Sequence, residues 1–281
     1  MFRYIYIIMM NFVFCLGIES ISLPNNALEI ASANSGIGNS KNMGLNFSSI
    51  NNTSNSINVS SILWYQGVKG GNIEYKWGQT NHHYLSLYNL SADNIDLRYI
   101  TPSDKPVDVF DIHHISLAYG FGKIVSNNFR IGIKSTIIYN QLYTDESFGY
   151  NFDLGVSYDY NKFISLGIVI NQLGSEKIDH LFINYPLLGG FGITLSLESL
   201  QSKIHSDIIY NNSFSNELTF KVASVTQFSY IDIISGYSHS SSKSEFSCGL
   251  SFKYRKIQFD YGISFHNALG SPTIFSLKYH I

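Results

Sequence analysis

The chain has 281 residues, of which 14% are charged and 15% aromatic, with twenty Phe, twenty Tyr and a net charge of −2. Soluble domains usually carry about 25% charged residues, so an ordinary water-facing surface is not expected. The small net charge argues against nucleic acid or another polyanion as partner. Past the N-terminus no apolar run reaches the ~18 residues of a membrane helix.

The chain opens with "MFRYIYIIMMNFVFCLGIES": one positive charge at Arg3, an apolar core from Tyr4 to Leu16, then small residues at Gly17, Ser20 and Ser22. This order predicts a signal peptide over residues 1–22, cleaved near Ser20 or Ser22. The apolar core is shorter than the ~20 residues of a spanning anchor. Cys15 follows Phe14 rather than a small residue, which argues against a lipoprotein anchor; after cleavage only Cys248 remains, so no internal disulfide forms. Residues 23–56 are rich in Asn, Ser and small residues. They suggest a turn of helix near Ala27–Ala31 and a glycine-containing loop.

From Ile57 the character changes. Strand-like runs cover 57–66, 71–78, 82–90, 94–101, 112–122, 128–140, 148–160, 163–171, 181–197, 204–211, 217–227, 228–238, 244–255, 257–266 and 272–281. Turn clusters such as "TPSDKP" and "SHSSSKS" separate several of them. Pro186, in "YPLLGGFG", cannot donate to a ladder and predicts a bend within 181–197. The runs alternate: Ile257, Phe259, Tyr261, Ile263 and Phe265 on one face, Gln258, Asp260, Gly262, Ser264 and His266 on the other. A secreted β-sandwich alternates too, but with strands of ~5–6 residues. Runs of ~9–11 residues with Tyr and Phe toward their ends suit strands that cross a bilayer at a tilt. The expected fold is therefore all-β: a transmembrane antiparallel barrel over 57–281, with residues 23–56 as a segment in its lumen. The runs number fifteen, and an even number is needed for antiparallel closure, so about 14 strands are expected.

Two stretches carry a family resemblance. "GLSFKYRKIQFDYGISFHNALGSPTIFSLKYHI" resembles the closing hairpin of the PorV/PorQ and FadL-like outer-membrane proteins, with Asp260, Tyr261, Gly262, Leu269 and Gly270 in the matching places. "NALEIASANSGIG" resembles a degenerate form of their N-terminal "ASAxxNPAGL" hatch motif, with Asn34, Ser35, Gly36 and Ile37 standing for Asn-Pro-Ala-Gly-Leu. The sequence departs from the pattern in lacking that proline and in ending on Ile281 rather than Phe. The resemblance implies a 14-stranded barrel in the outer membrane, plugged by an N-terminal hatch over residues 23–56. The lead-in "SISLPNNAL" is similar to PorQ-type members. The expected role is thus a non-enzymatic component of a type IX-like secretion or surface-attachment system, with outer-membrane lipid and secretion or surface proteins as partners. The alternative is a FadL-like transporter of fatty acids or other hydrophobic small molecules, passed sideways through an opening in the wall.

The residues themselves offer little chemistry. Neighbours on a strand point to opposite faces, so neither His82–His83 nor His113–His114 closes on one metal. No nucleophile elbow is present, and neither Gly70–Gly71 nor Gly189–Gly190 leads into a helix as a phosphate loop does. No enzyme activity, cofactor or metal is expected. Lys134, Asp153, Lys221, Lys253 and Asp260 fall on the polar face and line the lumen, either as a conduction path or as ion pairs across it. In "FISLGIVIN", Ile164, Leu166, Ile168 and Ile170 take the lipid face. That leaves Phe163 and Val169 as candidates for an apolar lumen lining.

Overall fold

A strand with one apolar face satisfies its backbone in hydrocarbon only if the sheet has no edge, which means closure. The computed structural model describes residues 20–39, 44–52, 54–97, 106–212, 216–266 and 270–281. Its strands are β1 (Ser56–Leu63), β2 (Lys69–Gly78), β3 (Asn81–Leu97), β4 (Asp108–Ser126), β5 (Phe129–Leu142), β6 (Asp145–Asp159), β7 (Ile164–Ile178), β8 (Leu181–Asn184), β9 (Leu188–Leu197), β10 (Ser202–Asn211), β11 (Glu217–Gln227), β12 (Ile231–His239), β13 (Ser244–Tyr254), β14 (Ile257–Phe265) and β15 (Thr273–His280). Each pairs antiparallel with its chain neighbour, and β1 pairs with β15, so the ring closes. β8 and β9 both pair with β7, β8 along Ser175–Ile178 and β9 along Ile164–Asn171. They are two halves of one crossing, which makes a closed barrel of 14.

One expected division is absent. The runs 82–90 and 94–101 belong to one strand, β3; the part of the second run beyond Leu97 lies outside the described residues. The register shifts between Ala92 and Ile95, where Asn94 takes a left-handed φ of 58°. An unpaired bulge breaks period-two alternation just as a turn does. The run 181–197 is interrupted at Tyr185–Leu187, around Pro186, as the missing donor predicts. Most of the expected signal peptide, and Leu269, also lie outside the described residues.

The two faces separate cleanly. Phe259 is 53% exposed and Asp260 beside it 3%. Leu277, Leu250, Ile233, Val222, Ile137 and Leu117 are likewise exposed on neighbouring strands. A continuous apolar exterior of this kind is a surface for lipid. At the end of the barrel where the connections are two to four residues long, Tyr75, Trp77 and His83 stack on the outside, with ring centroids 4.9 Å and 5.3 Å apart. Amphipathic rings at that level suit the membrane–water interface. Short turns mark the periplasmic end, and the longer connections, such as 98–107 and 266–272, the extracellular end.

The N-terminal segment lies within the ring. Helix α1 (Ala27–Ala31) packs on β12 to β15, and a 3-10 helix at Phe47–Asn52 packs on β3 to β6 across the lumen. Leu250, near the middle of β13, tests which face meets lipid. Leu250→Arg is expected to cost about 2–4 kcal/mol of folding stability in bilayers, and Leu250→Phe close to nothing. Chemical unfolding of the reconstituted barrel measures both.

Candidate functional site

The lumen is built by the fit between the inner segment and the wall. Asn26 caps α1 by accepting from the Glu29 amide at 3.1 Å, and Glu29 in return accepts from the Asn25 amide at 2.8 Å. The Ala27 amide, an unsatisfied donor of the first turn, gives its hydrogen to Ser276 Oγ on β15 at 2.9 Å. The wall under the helix carries Gly262, where a Cβ would sit 2.2 Å from Ala27 O. On the opposite side Phe47 meets Tyr84 edge-on with ring centroids 5.5 Å apart. Asn46 ties the two parts of the segment together through its Nδ2, which donates to Ile37 O at 2.6 Å and to Val156 O on β6 at 3.0 Å.

The hatch-like motif makes one directed contact. Ala33 and Asn34 both take a left-handed φ, near 53° and 52°, and Gly36 a φ of 115°. This turn aims successive amides at Asp207 on β10. Gly36 N donates to Oδ2 at 2.6 Å, and Ile37 N donates to Oδ1 at 3.2 Å. A carboxylate under consecutive backbone amides is the anion-nest arrangement with both partners in one chain. Lys221, the register partner of Asp207 on β11, donates to Asn34 O at 3.4 Å. Ser35 is buried, and Ile37 is buried in an apolar cluster with Val169, Leu188 and Ile209.

A second buried carboxylate pair lies under the start of α1. Glu74 on β2 accepts from Asn58 at 3.1 Å, Asn72 at 3.0 Å and Tyr84 at 3.3 Å, with Lys76 Nζ 3.9 Å away. Glu29 comes down beside it, and Asn26 Nδ2 bridges the two. Burial, then the neighbouring Glu74 carboxylate, pushes the Glu29 carboxyl above its ordinary value of 4.5, against the weaker pull of Lys134 and Lys76.

The wall carries a further irregularity on β7. Opposite Asp153 on β6, β7 carries two residues, Asn171 and Gln172, and Gln172 has a left-handed φ of 66°. The bulge turns both side chains inward, so consecutive residues are buried. On the other side of β7 the partner crossing is interrupted, with pairing lost between Asn184 and Leu188 apart from Tyr185 N donating to Gly174 O at 3.0 Å. Leu173 and Leu187 flank the gap on the outside, and Leu188 and Val169 lie inside.

The residues singled out in the sequence fall as follows. Lys134 pairs with Asp153 at 2.7 Å, and Lys253 pairs with Asp232. Asp260 is buried and accepts from Gln258 Nε2 at 2.8 Å. Lys134 and Lys253 therefore sit on the lumen side in ion pairs, and Asp260 beside a neutral amide. Val169 is 1% exposed and faces the lumen. Phe163 does not: it precedes β7 in a periplasmic turn, exposed, with Lys162 Nζ 4.6 Å from its ring centroid. The turn ends the alternation that would have carried it inward. Asp207, Glu29, Glu74 and Glu176 were not singled out, although each is an isolated acid on a polar face or helix, which is the signal that was present.

No protein-family model and no curated protein matches the chain by sequence. Solved structures match it by shape. The Pseudomonas putida toluene transporter TodX superposes with a TM-score of 0.71 at 8% identity, covering 91% of this chain and 98% of that one. The Ralstonia pickettii toluene transporter TbuX gives 0.66 at 8% identity over 91% and 98%. A Pseudomonas aeruginosa FadL homologue gives 0.56 at 10% identity over 92% and 99%. The fold is that of the FadL-type outer-membrane barrels.

Two outcomes follow for the inner segment. Asp207→Asn removes a charged acceptor, worth about 1.5–3 kcal/mol per hydrogen bond. Hydrogen exchange at the Gly36 and Ile37 amides is expected to speed up roughly tenfold to a hundredfold at constant pH. Glu29 sets a pH dependence. Its docked carboxyl binds a proton more tightly than in the free segment, so docking is strongest below 4.5 and weakens as pH rises through the raised value. The midpoint of heat unfolding should fall from pH 4 to pH 8, and Glu29→Gln should make that fall smaller.

Proposed function

We propose that this barrel passes hydrophobic small molecules across the outer membrane. One observation carries the reading. An apolar lumen patch of Ile37, Val169, Leu188 and Ile209 lies immediately beside the interruption in the β8–β9 crossing. Apolar side chains, closed over by Ile37 of the inner segment, thus lie at a place where the wall's ladder is interrupted. The TodX and TbuX structures, described as toluene transporters, support the reading through their shared fold. This reverses the order suggested by the sequence resemblance, which put a PorV/PorQ-like secretion scaffold first. The secretion reading rests on the "SLPNNALEIASANSGIG" stretch alone, and that stretch serves either role as the inner segment.

Uptake of radiolabelled toluene and of a long-chain fatty acid by cells bearing the barrel tests it. Val169→Asp is expected to cut uptake at least tenfold, and Phe163→Asp to leave it unchanged, with both variants keeping the compact gel mobility of the folded barrel. Background uptake by the unaltered protein, with a secretion or surface protein co-purifying, would overturn the reading.

A further inference from the structure

The inner face of β6 and β7 carries a row of buried oxygens with nothing to bond. Asn151 Oδ1, Asn171 Oδ1, Gln172 Oε1 and Glu176 Oε2 all lack a hydrogen-bond partner, and each residue is at least nine-tenths buried. Tyr185 Oη, in the wall break, lies against Gly149 and turns toward the Glu176 carboxyl. Buried polar atoms are rarely left unpaired, and each costs about 1–3 kcal/mol when it is. Four in one stretch of wall need an explanation.

The orientation of the amides is fixed by their other ends. Asn171 Nδ2 donates to Leu45 O at 2.7 Å, Asn151 Nδ2 to Asp153 Oδ1 at 3.0 Å, and Gln172 Nε2 to Ser22 Oγ at 2.5 Å. Flipping Asn171 or Asn151 would bring two acceptors together, so their bare atoms are oxygens. Glu176 uses its other oxygen, Oε1, to accept from Asn140 at 2.6 Å and from Ser147. The row is therefore four acceptors, with the Tyr185 phenol at its Glu176 end. It runs from Glu176 down to Asn171, five residues or roughly 17 Å of strand, and it ends at the wall break and the apolar patch around Val169.

We propose that this row is a track for the hydroxyl group of a hydroxylated hydrophobic molecule, an alcohol or phenol, leading its polar end from the extracellular side to the break. The proposal rests on the transport reading and names its substrate class. A hydroxyl donates to each acceptor in turn while its apolar body takes the Val169 and Leu188 contacts. A carboxylate brings only acceptors and a second negative charge beside Glu176, so it is disfavoured.

Uptake of toluene, 1-decanol, decanoate and decylamine by cells bearing the barrel is the test. Decanol is expected to enter at least tenfold faster than decanoate. Glu176→Gln and Asn151→Val, each of which removes one acceptor of the row, are expected to reduce that ratio at least fivefold while toluene uptake stays constant. Toluene uptake without any preference for decanol over decanoate would overturn the track and leave the transport reading standing. No uptake of toluene or decanol would overturn both. Fastest entry by decylamine, lost in Glu176→Gln alone, would overturn the hydroxyl assignment in favour of a cation.

Discussion

Close approach between the inner segment and the wall governs this molecule. A strand's inward side chains keep a second backbone at a distance, and only glycine removes that barrier. Gly262 under Ala27 and Gly167 under Ile37, where a Cβ would fall 1.9 Å from the Ile37 carbonyl, let the segment lie directly on the ladder. From this follow the direct bond from α1 to Ser276, the seating of amides on Asp207 and the burial of Glu29 beside Glu74. Large residues at these two places would push the segment off the wall, and the polar contacts would lose their partners.

Polar bookkeeping then divides the lumen into two kinds of surface. Around α1 and the Asp207 turn, the carboxylates are met by backbone and side-chain donors. Along β6 and β7 the donors are used up and acceptors are left over. The bulge at Asn171–Gln172 produces that excess, because it turns two amides inward where a regular strand would turn one. The interruption at Pro186 removes backbone bonds from the other side of the same strand. The two irregularities face each other on adjacent crossings, so the ladder is weakened on both sides of β7 at one level.

Much of the fold was legible because period two is a local signal. Phe259 and Asp260 take opposite faces simply because they are adjacent on a strand, and Pro186 interrupts a ladder because it has no N–H. The β3 bulge was misread because Asn94 breaks alternation as a turn would, and only the pairing with β4 distinguishes them. Phe163 was misread for a related reason: parity holds only inside a strand, and the strand starts one residue later. The candidate site was less legible. Asp207 and Gly36 are 171 residues apart, and nothing local marks either as the partner of the other. An orphaned oxygen such as that of Asn151 is invisible in sequence, since it is defined by what fails to reach it.

The strands also differ in length around the ring. β3 to β7 have 17, 19, 14, 15 and 15 residues, whereas β14, β15, β1 and β2 have 9, 8, 8 and 10. With the periplasmic turns at a common level, the surplus stands above the bilayer on one side only, by roughly 20–30 Å of strand. The rim is thus bevelled like a quill. A bulky visitor from outside, such as a phage tail fibre or an antibody, meets the tall side first. A small molecule dissolved in the outer leaflet meets the low lip at the β1–β15 seam, almost level with the lipid it comes from.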